Sequence, residues 1–373
     1  MISGTPSLFV WSLSEPRPTG ITPFVRQHAD HHWLYGSGKA ALRDALSTVA
    51  SPGENVLIPS YLPDAVVEPI RELGLEARHY AISPDLSPDF ADLEDRIDDR
   101  TLAVMSVNYF GFPQPGLEEL SSIVDDYDCY HIDDNAHAAL SVDDGVLLGT
   151  RGHIGITSLW KLLPIPNGAI LYLNDDSIAD RFEPSQLAGP SDTLGPADGR
   201  FVVKSIAADL LDSHTTVRNS VNALLFGRDG ETAASDPIDR YEASKTRMSK
   251  LSVRVMEDAD PESIRTRRRA NYRAWQRVLE DRPDADVLFP KLPSGICPQV
   301  CPVHTQHSRR FRRTLQRCGV GGVFSWPRLS PDVLDDPAYE TATCLSQEIV
   351  ALPVHQQVDP KSIESIGDRL EIN

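Results

Sequence analysis

A chain of 373 residues, 40% of them hydrophobic, is long enough to bury one large core or a large core beside a smaller one, and no apolar run approaches the ~18 residues that a bilayer span needs. Its net charge of -18, with 36 Asp against 18 Glu and seven Lys beside 29 Arg, repels phosphate backbones and excludes nucleic acid as the expected partner; the same Asp-rich, Lys-poor balance points to a salt-loving cell. Five scattered Cys imply no disulfide framework, and the start MISGTPSLFVWSLSEPRPTG lacks the basic opening of a signal peptide, so a cytoplasmic protein with no membrane contact is expected.

His28, His31 and His32 form a cluster that reads as a solvated loop ahead of a strand. GSGKAALRDALSTVA, from Gly36, is a glycine turn opening a helix, with Ala41, Leu42, Ala45 and Leu46 at helical spacing. ENVLIPSYL, ending at Leu62, predicts a strand, AVVEPIRELG a helix closed by Gly74, and EARHYAI a strand. PDFADLEDRI predicts a helix with Pro88 near its start and Asp89 in its first turn. TLAVMSVNYF is a buried strand, GLEELSSIVDDYD a helix, and CYHIDDNA, HIGITSL and GAILYL are three further strands. Such alternation requires crossover connections and a mainly parallel sheet with helices on both faces.

From about Asp175 to Arg240 the pattern loosens. PSQLAGPSDTLGPADGR and DGETAASDP read as loops, with a helical stretch, KSIAADLLDSHTTVRNSVNALLFG, between them. A long helix is predicted from Pro261 to about Glu280; its basic run RTRRRANYRAWQR, Arg265 to Arg277, reads as a helix face balancing the acidic surface. The remainder, GICPQVCPVHT, SRRFRRTLQRCGV, GGVFSW, EIVALPVH and DPKSIESIGDRL, alternates strands and helices as a smaller α+β unit. Cys297, Cys301, His304 and His307 invite a zinc reading, but their spacing matches no common structural zinc site and the segment reads as a buried strand, so no metal is expected.

Chemistry gathers at the carboxyl ends of strands in open α/β sheets, and four elements deliver candidates there. Gly36, Ser37 and Gly38 enter a helix whose free amides favour an anion, although the loop is not of the Walker type, because Lys39 is followed by Ala40. Asp133 and Asp134 end CYHIDDNA, and alternation sends only one of them toward a ligand. His137 follows three residues later. Lys161 lies in ITSLWKLLPIPNGAILYL, a lysine among apolar residues in a chain that otherwise prefers arginine; it is either a snorkelling side chain or an amine put to chemical use. An anion cradle, an acid and a lysine are the parts needed to hold pyridoxal 5'-phosphate: the lysine forms the Schiff base and the acid protonates the pyridine nitrogen.

These pieces, in this order, resemble the DegT/DnrJ/EryC1/StrS group of fold-type I pyridoxal phosphate enzymes, mostly sugar aminotransferases. GSGKAAL is similar to the family's Gly-Ser-Gly/Ala-Thr-x-Ala-Leu loop, IDDNAHA to Glu-Asp-Ala-Ala-His/Gln-Ala, SLWK to the Ser-Phe-x-x-x-Lys stretch, KTRMSKLS to the Asn-x-Arg-Met helix start, and ALPVH with DPKSIESI to the C-terminal ending. The resemblance implies an α/β fold with a mostly parallel seven-stranded sheet in residues 1–240 and a linking helix with a small α+β unit in 241–373. It implies Lys161 as the cofactor lysine and proton shuttle, Asp134 paired with the ring nitrogen, and His137 beside the ring. Ser158 and the Gly36–Gly38 amides would hold the phosphate, and Tyr61 would stack on the ring. Lys245 stands where the family has an Asn that reaches the partner subunit's phosphate, which implies a homodimer with shared active sites. The implied reaction moves an amino group from an amino-acid donor, glutamate by preference, to a keto-sugar acceptor linked to a nucleotide. Another pyridoxal phosphate reaction, such as dehydration or amination of a non-sugar, or a non-catalytic cofactor-binding role, are the alternatives. The chain departs from the pattern before Gly36, in the two-residue-shorter SLWK, at Pro164 and Pro166, and between 175 and 240; these flank the acceptor side.

Overall fold

The computed structural model describes residues 2–8, 20–212 and 236–372. Its main sheet takes β1 (His32–Tyr35), β2 (Asn55–Pro59), β3 (Glu76–Tyr80), β4 (Thr101–Val107) and β5 (Tyr130–Asn135). A small hairpin, β6 (Val142–Asp143) and β7 (Val146–Leu147), intervenes before β8 (Ile154–Ser158) and β9 (Ala169–Leu173) complete the sheet. The seven strands run in the order β1-β9-β8-β5-β4-β2-β3. β9 alone is reversed, antiparallel to β8 and to β1, and the remaining pairs are parallel. This is the mostly parallel seven-stranded sheet expected from the sequence. Every residue of β2, β8 and β9 is buried, as in strands covered on both faces.

Local chemistry moves several boundaries. AVVEPIRELG divides into a 3-10 turn at Asp64–Val66 and a helix at Glu68–Glu72, because Pro69 has no N–H to give and fits only the first helical turn. Pro88 lies ahead of its helix, Phe90–Arg96, and Asp89 is the cap rather than a first-turn residue, accepting a bond from the Asp92 amide at 3.2 Å. The helix Pro196–Asp212 begins within the stretch read as a loop, with proline at its first position. The expected helix beyond Asp212 and most of DGETAASDP lie outside the described residues.

The second sheet is antiparallel throughout: β10 (Asp286–Val287), β11 (Val300–His304), β12 (Phe324–Ser325) and β13 (Ile349–Pro353), in the order β10-β11-β13-β12. The long helix Pro261–Leu279 packs against β11 and against the helix Pro360–Ile372. An apolar cluster runs unbroken from the main sheet into this second one, and another joins Leu159, Leu162, Leu163 and Ile165 to Met248, Leu251 and Val255. The N-terminal residues lie across the second sheet. The Ile2 amide donates to the Gly319 carbonyl at 2.9 Å, and the Gly321 amide donates to the Ile2 carbonyl at 2.7 Å. Gly4 rests on Gly322 so closely that a Cβ on Gly4 would stand 2.4 Å from the Gly322 Cα. Among the described residues no helix is long and apolar enough to cross a membrane.

Candidate active site

The carboxyl ends of β4, β5 and β8 lie side by side, with Val107 paired to Asp134 and Asp134 to Ile156. Strand alternation separates the two carboxylates of β5. Asp133 is consumed by the fold: its Oδ1 accepts from Asn108 Nδ2 at 2.6 Å, and its Oδ2 from the Gly149 and Arg151 amides at 2.9 and 3.2 Å. Asp134 faces the other way and receives the Ala136 amide at 2.9 Å. Burial pushes its carboxyl up to about 6, against the pull of the Lys161 cation and that amide.

β8 ends in a 3-10 turn, Leu159–Lys161. Leu159 is buried and its amide donates to the Gly168 carbonyl at 2.9 Å, while Trp160 is 52% exposed. The turn thereby sends Lys161 into a cavity of about 520 Å³ that Phe110, His137 and Trp326 also line. Burial lowers the amine to about 8; Asp134 opposes that shift, and the Lys39 charge adds to it. A snorkelling lysine would keep its head in water at its ordinary value. Lys161 instead brings a weakened cation toward a weakened acid.

His137 is buried, and its Nδ1 accepts from the Phe110 amide at 3.2 Å. Its ring stacks on Phe110 at 5.8 Å between centroids and meets the Trp326 edge at 4.6 Å. Burial, then the Lys161 charge, hold it well below its ordinary value, so this imidazole is neutral at pH 7. Tyr61 is fully buried behind this wall: its hydroxyl donates to the Trp326 carbonyl, and its ring meets Trp326 edge-on at 5.3 Å. Beside His137 the aromatic lining of the cavity is Phe110 and Trp326, with Tyr61 as their backing.

The glycine turn is tightly built. A Cβ on Gly36 would stand 2.2 Å from the Thr246 carbonyl, to which the Gly36 amide also donates at 3.1 Å. Ser37 caps the helix Gly38–Val49, its hydroxyl accepting from the Ala40 amide at 3.2 Å. Gly38 lies against Ser158, whose Oγ is 3.2 Å from where a Gly38 Cβ would be. Ser158 is 6% exposed, and its hydroxyl forms no hydrogen bond among the described residues. A hydroxyl without a partner on a mostly buried residue, facing a helix start bare of side chain, is a cradle for an oxyanion. Ser60 and Tyr109, which follow β2 and β4, also carry buried hydroxyls without partners. Together with Lys161 beside Asp134, these groups fit pyridoxal 5'-phosphate. Lys245, in contrast, is held within its own chain by Glu72 at 2.9 Å and Glu242 at 2.6 Å, above the Tyr241 ring.

The sequence did not single out Arg268. Its guanidinium is buried and donates to the carbonyls of Leu162 (3.0 Å), Gln299 (2.9 Å) and Pro298 (3.1 Å) and to Gln356 Oε1 (3.0 Å), fixing the turn that follows Lys161. Helical spacing carried the signal: Ile264, Arg268, Asn271 and Trp275 recur along one buried face. Cys297 and Cys301 are buried, His304 bonds to Glu348 at 2.8 Å, and among the described residues no group of three or more potential ligands is placed to hold a metal.

A sequence model described as the DegT/DnrJ/EryC1/StrS aminotransferase family matches residues 24–371. Two GDP-perosamine synthases are each 26% identical: that of Vibrio cholerae over 155 residues, 40% of this chain and 42% of the relative, and that of Escherichia coli O157:H7 over 162 residues, 42% and 44%. The matched part thus spans less than half the length of these curated relatives. Among solved structures, a DegT DnrJ EryC1 StrS aminotransferase from Brucella abortus superposes with a TM-score of 0.65 at 18% identity, covering 97% of this chain and 91% of that one. S. venezuelae DesV does so with a TM-score of 0.66 at 17% identity, covering 97% and 90%. At these identities the structural likeness shows the shared fold.

Proposed function

Because the chain belongs to the DegT/DnrJ/EryC1/StrS aminotransferase family, we infer that it is a pyridoxal 5'-phosphate-dependent aminotransferase that moves the amino group of an amino acid, glutamate by preference, to a nucleotide-linked keto-sugar. The observation that carries this reading is that Lys161 lines the cavity at the end of β8 with its amine in the field of the buried Asp134 carboxyl at the neighbouring end of β5, the amine lowered to about 8 and the carboxyl raised to about 6. Bound here, the cofactor supplies an electron sink for the substrate's α-carbon. Lys161 Nζ would hold the cofactor and, as a free amine, would accept and return a proton; an amine near 8 is matched to that task at neutral pH. Asp134 would hold the ring nitrogen's proton through its carboxylate. Neutral His137 and the Phe110 and Trp326 rings orient the cofactor and exclude water. Ser158 Oγ and the free Gly38 amide would take the phosphate, the Gly36 amide being given to the Thr246 carbonyl, and Tyr61 holds the wall from behind.

The sugar acceptor is supported by the names of the curated relatives, both GDP-perosamine synthases. In this reading residues 1–240 form the cofactor-binding unit and 241–373 the linking helix and small unit. The enzyme works in the cytoplasm of a salt-loving cell as a homodimer, free of membrane and nucleic acid. Lys245 would exchange Glu72 and Glu242 for the partner's phosphate group. The purified protein in high salt, given pyridoxal phosphate, should gain an absorbance band distinct from that of the free cofactor. Lys161→Ala should lack the band, and glutamate should bleach it with stoichiometric release of 2-oxoglutarate. No band with the wild type would defeat the cofactor reading, and a band indifferent to every amino acid would defeat transamination.

A further inference from the structure

We propose that Lys39 is a phosphate-holding residue, its ammonium closing the cradle that Gly38 and Ser158 open at the start of the helix Gly38–Val49. The assignment rests on the cofactor reading above and extends it to a cation carried by the same chain. Three observations support it. At this helix start the Ala40 and Ala41 amides are taken by the Ser37 hydroxyl and carbonyl, whereas among the described residues those of Gly38 and Lys39 have no acceptor. Ser158, which faces them, is 6% exposed, and its hydroxyl forms no hydrogen bond with a described residue. The Lys39 side chain is weakly held for a half-buried cation: its one hydrogen bond is to the Arg240 carbonyl, at 3.5 Å, its ammonium stands 6.0 Å from the Tyr241 ring centroid, and it forms no ion pair with a described carboxylate.

The acids that face Lys39 are engaged elsewhere. Asp64 takes Arg240 Nη2 on both oxygens at 2.7 Å, and Glu68 pairs with Arg71 at 3.3 Å. Burial and then Arg240 weaken the Lys39 ammonium, Asp64 and Glu68 strengthen it, and its charge in turn reaches Lys161 and lowers that amine. Two free amides, one free hydroxyl and one poorly satisfied ammonium are a donor set for a dianionic oxyanion. Lys39 also stands where the family's loop, as quoted above, carries Thr, so this chain has a point charge at a position usually neutral.

The test compares pyridoxal 5'-phosphate with pyridoxal, which lacks the phosphate, by equilibrium dialysis on full-length protein freed of cofactor. Lys39→Met should weaken pyridoxal phosphate binding about tenfold or more while leaving pyridoxal binding within about twofold, since a charged hydrogen bond of this kind is worth a factor of that order. Lys39→Arg should recover most of the loss. Equal weakening of both ligands would mean a structural role and would overturn the proposal, as would unchanged affinity for the phosphorylated form. A wild-type protein that binds neither compound would bring down the cofactor reading and this assignment together, whereas normal wild-type binding with an indifferent Lys39→Met removes the assignment alone.

Discussion

Lys161 and Arg268 are two cations that line the same cavity, and the fold treats them in opposite ways. Arg268 gives hydrogen bonds to three carbonyls and a glutamine oxygen. Lys161 Nζ makes none among the described residues, having only the Trp160 ring at 6.0 Å and the field of Asp134. A buried charge that is fully coordinated serves the architecture, while one left uncoordinated costs stability and is retained for what it can bind or transfer. β5 repeats the contrast in adjacent residues: Asp133 is saturated by Asn108, Gly149 and Arg151, and Asp134 keeps one backbone bond.

The contrast breaks if the wrong member of a pair proves dispensable. The largest expected effect is on catalysis: Lys161→Ala should lower kcat by roughly 10³- to 10⁴-fold, the scale of a lost proton-transfer group, while thermal unfolding of the cofactor-free protein moves little or upward. Arg268→Met should do the reverse, costing about 3 kcal/mol or more in a denaturant titration because four acceptors lose a charged donor. Within β5, Asp134→Asn should lower kcat about 100-fold with the fold intact. Asp133→Asn should instead cost about 1–3 kcal/mol of stability, and a large loss of activity with intact stability in that variant would invert the comparison.

The smallest effect sharpens it through pH. Lys161 falls from 10.5 to about 8 on folding, so between those values the unfolded chain binds more protons and stability rises as pH rises. Asp134 goes from 3.8 to about 6, so between those values the native state binds more protons and stability falls as pH rises. Unfolding of the cofactor-free wild type minus that of Lys161→Met should show the alkaline slope, and the difference from Asp134→Asn the acidic one. Flat difference curves would mean that neither group is buried as described.

Much of this was legible in the sequence because it depends on local pattern. Continuous apolar runs mark β2, β4, β8 and β9; a lysine interrupting such a run marks Lys161; and alternation requires that Asp133 and Asp134 part company. Arg268 was hidden because a run of arginines reads as surface until each is placed on its helix face. The partnerless hydroxyl of Ser158 and the backing position of Tyr61 depend on residues more than a hundred positions away, Gly38 for the one and Trp326 for the other. The two-residue strands β6, β7 and β10 exist through pairing, not through any pattern of their own.

The segment Ile2–Ser7 makes the cavity depend on the second sheet. Ser3 to Ser7 form part of the wall of the Lys161 cavity; Ile2 is held by the Gly319 and Gly321 backbone, Ser3 by His355 and Ser7 by Gln357. Contacts between residues 350 positions apart close this wall, so loosening the turn after β13 would open the cavity without touching Lys161.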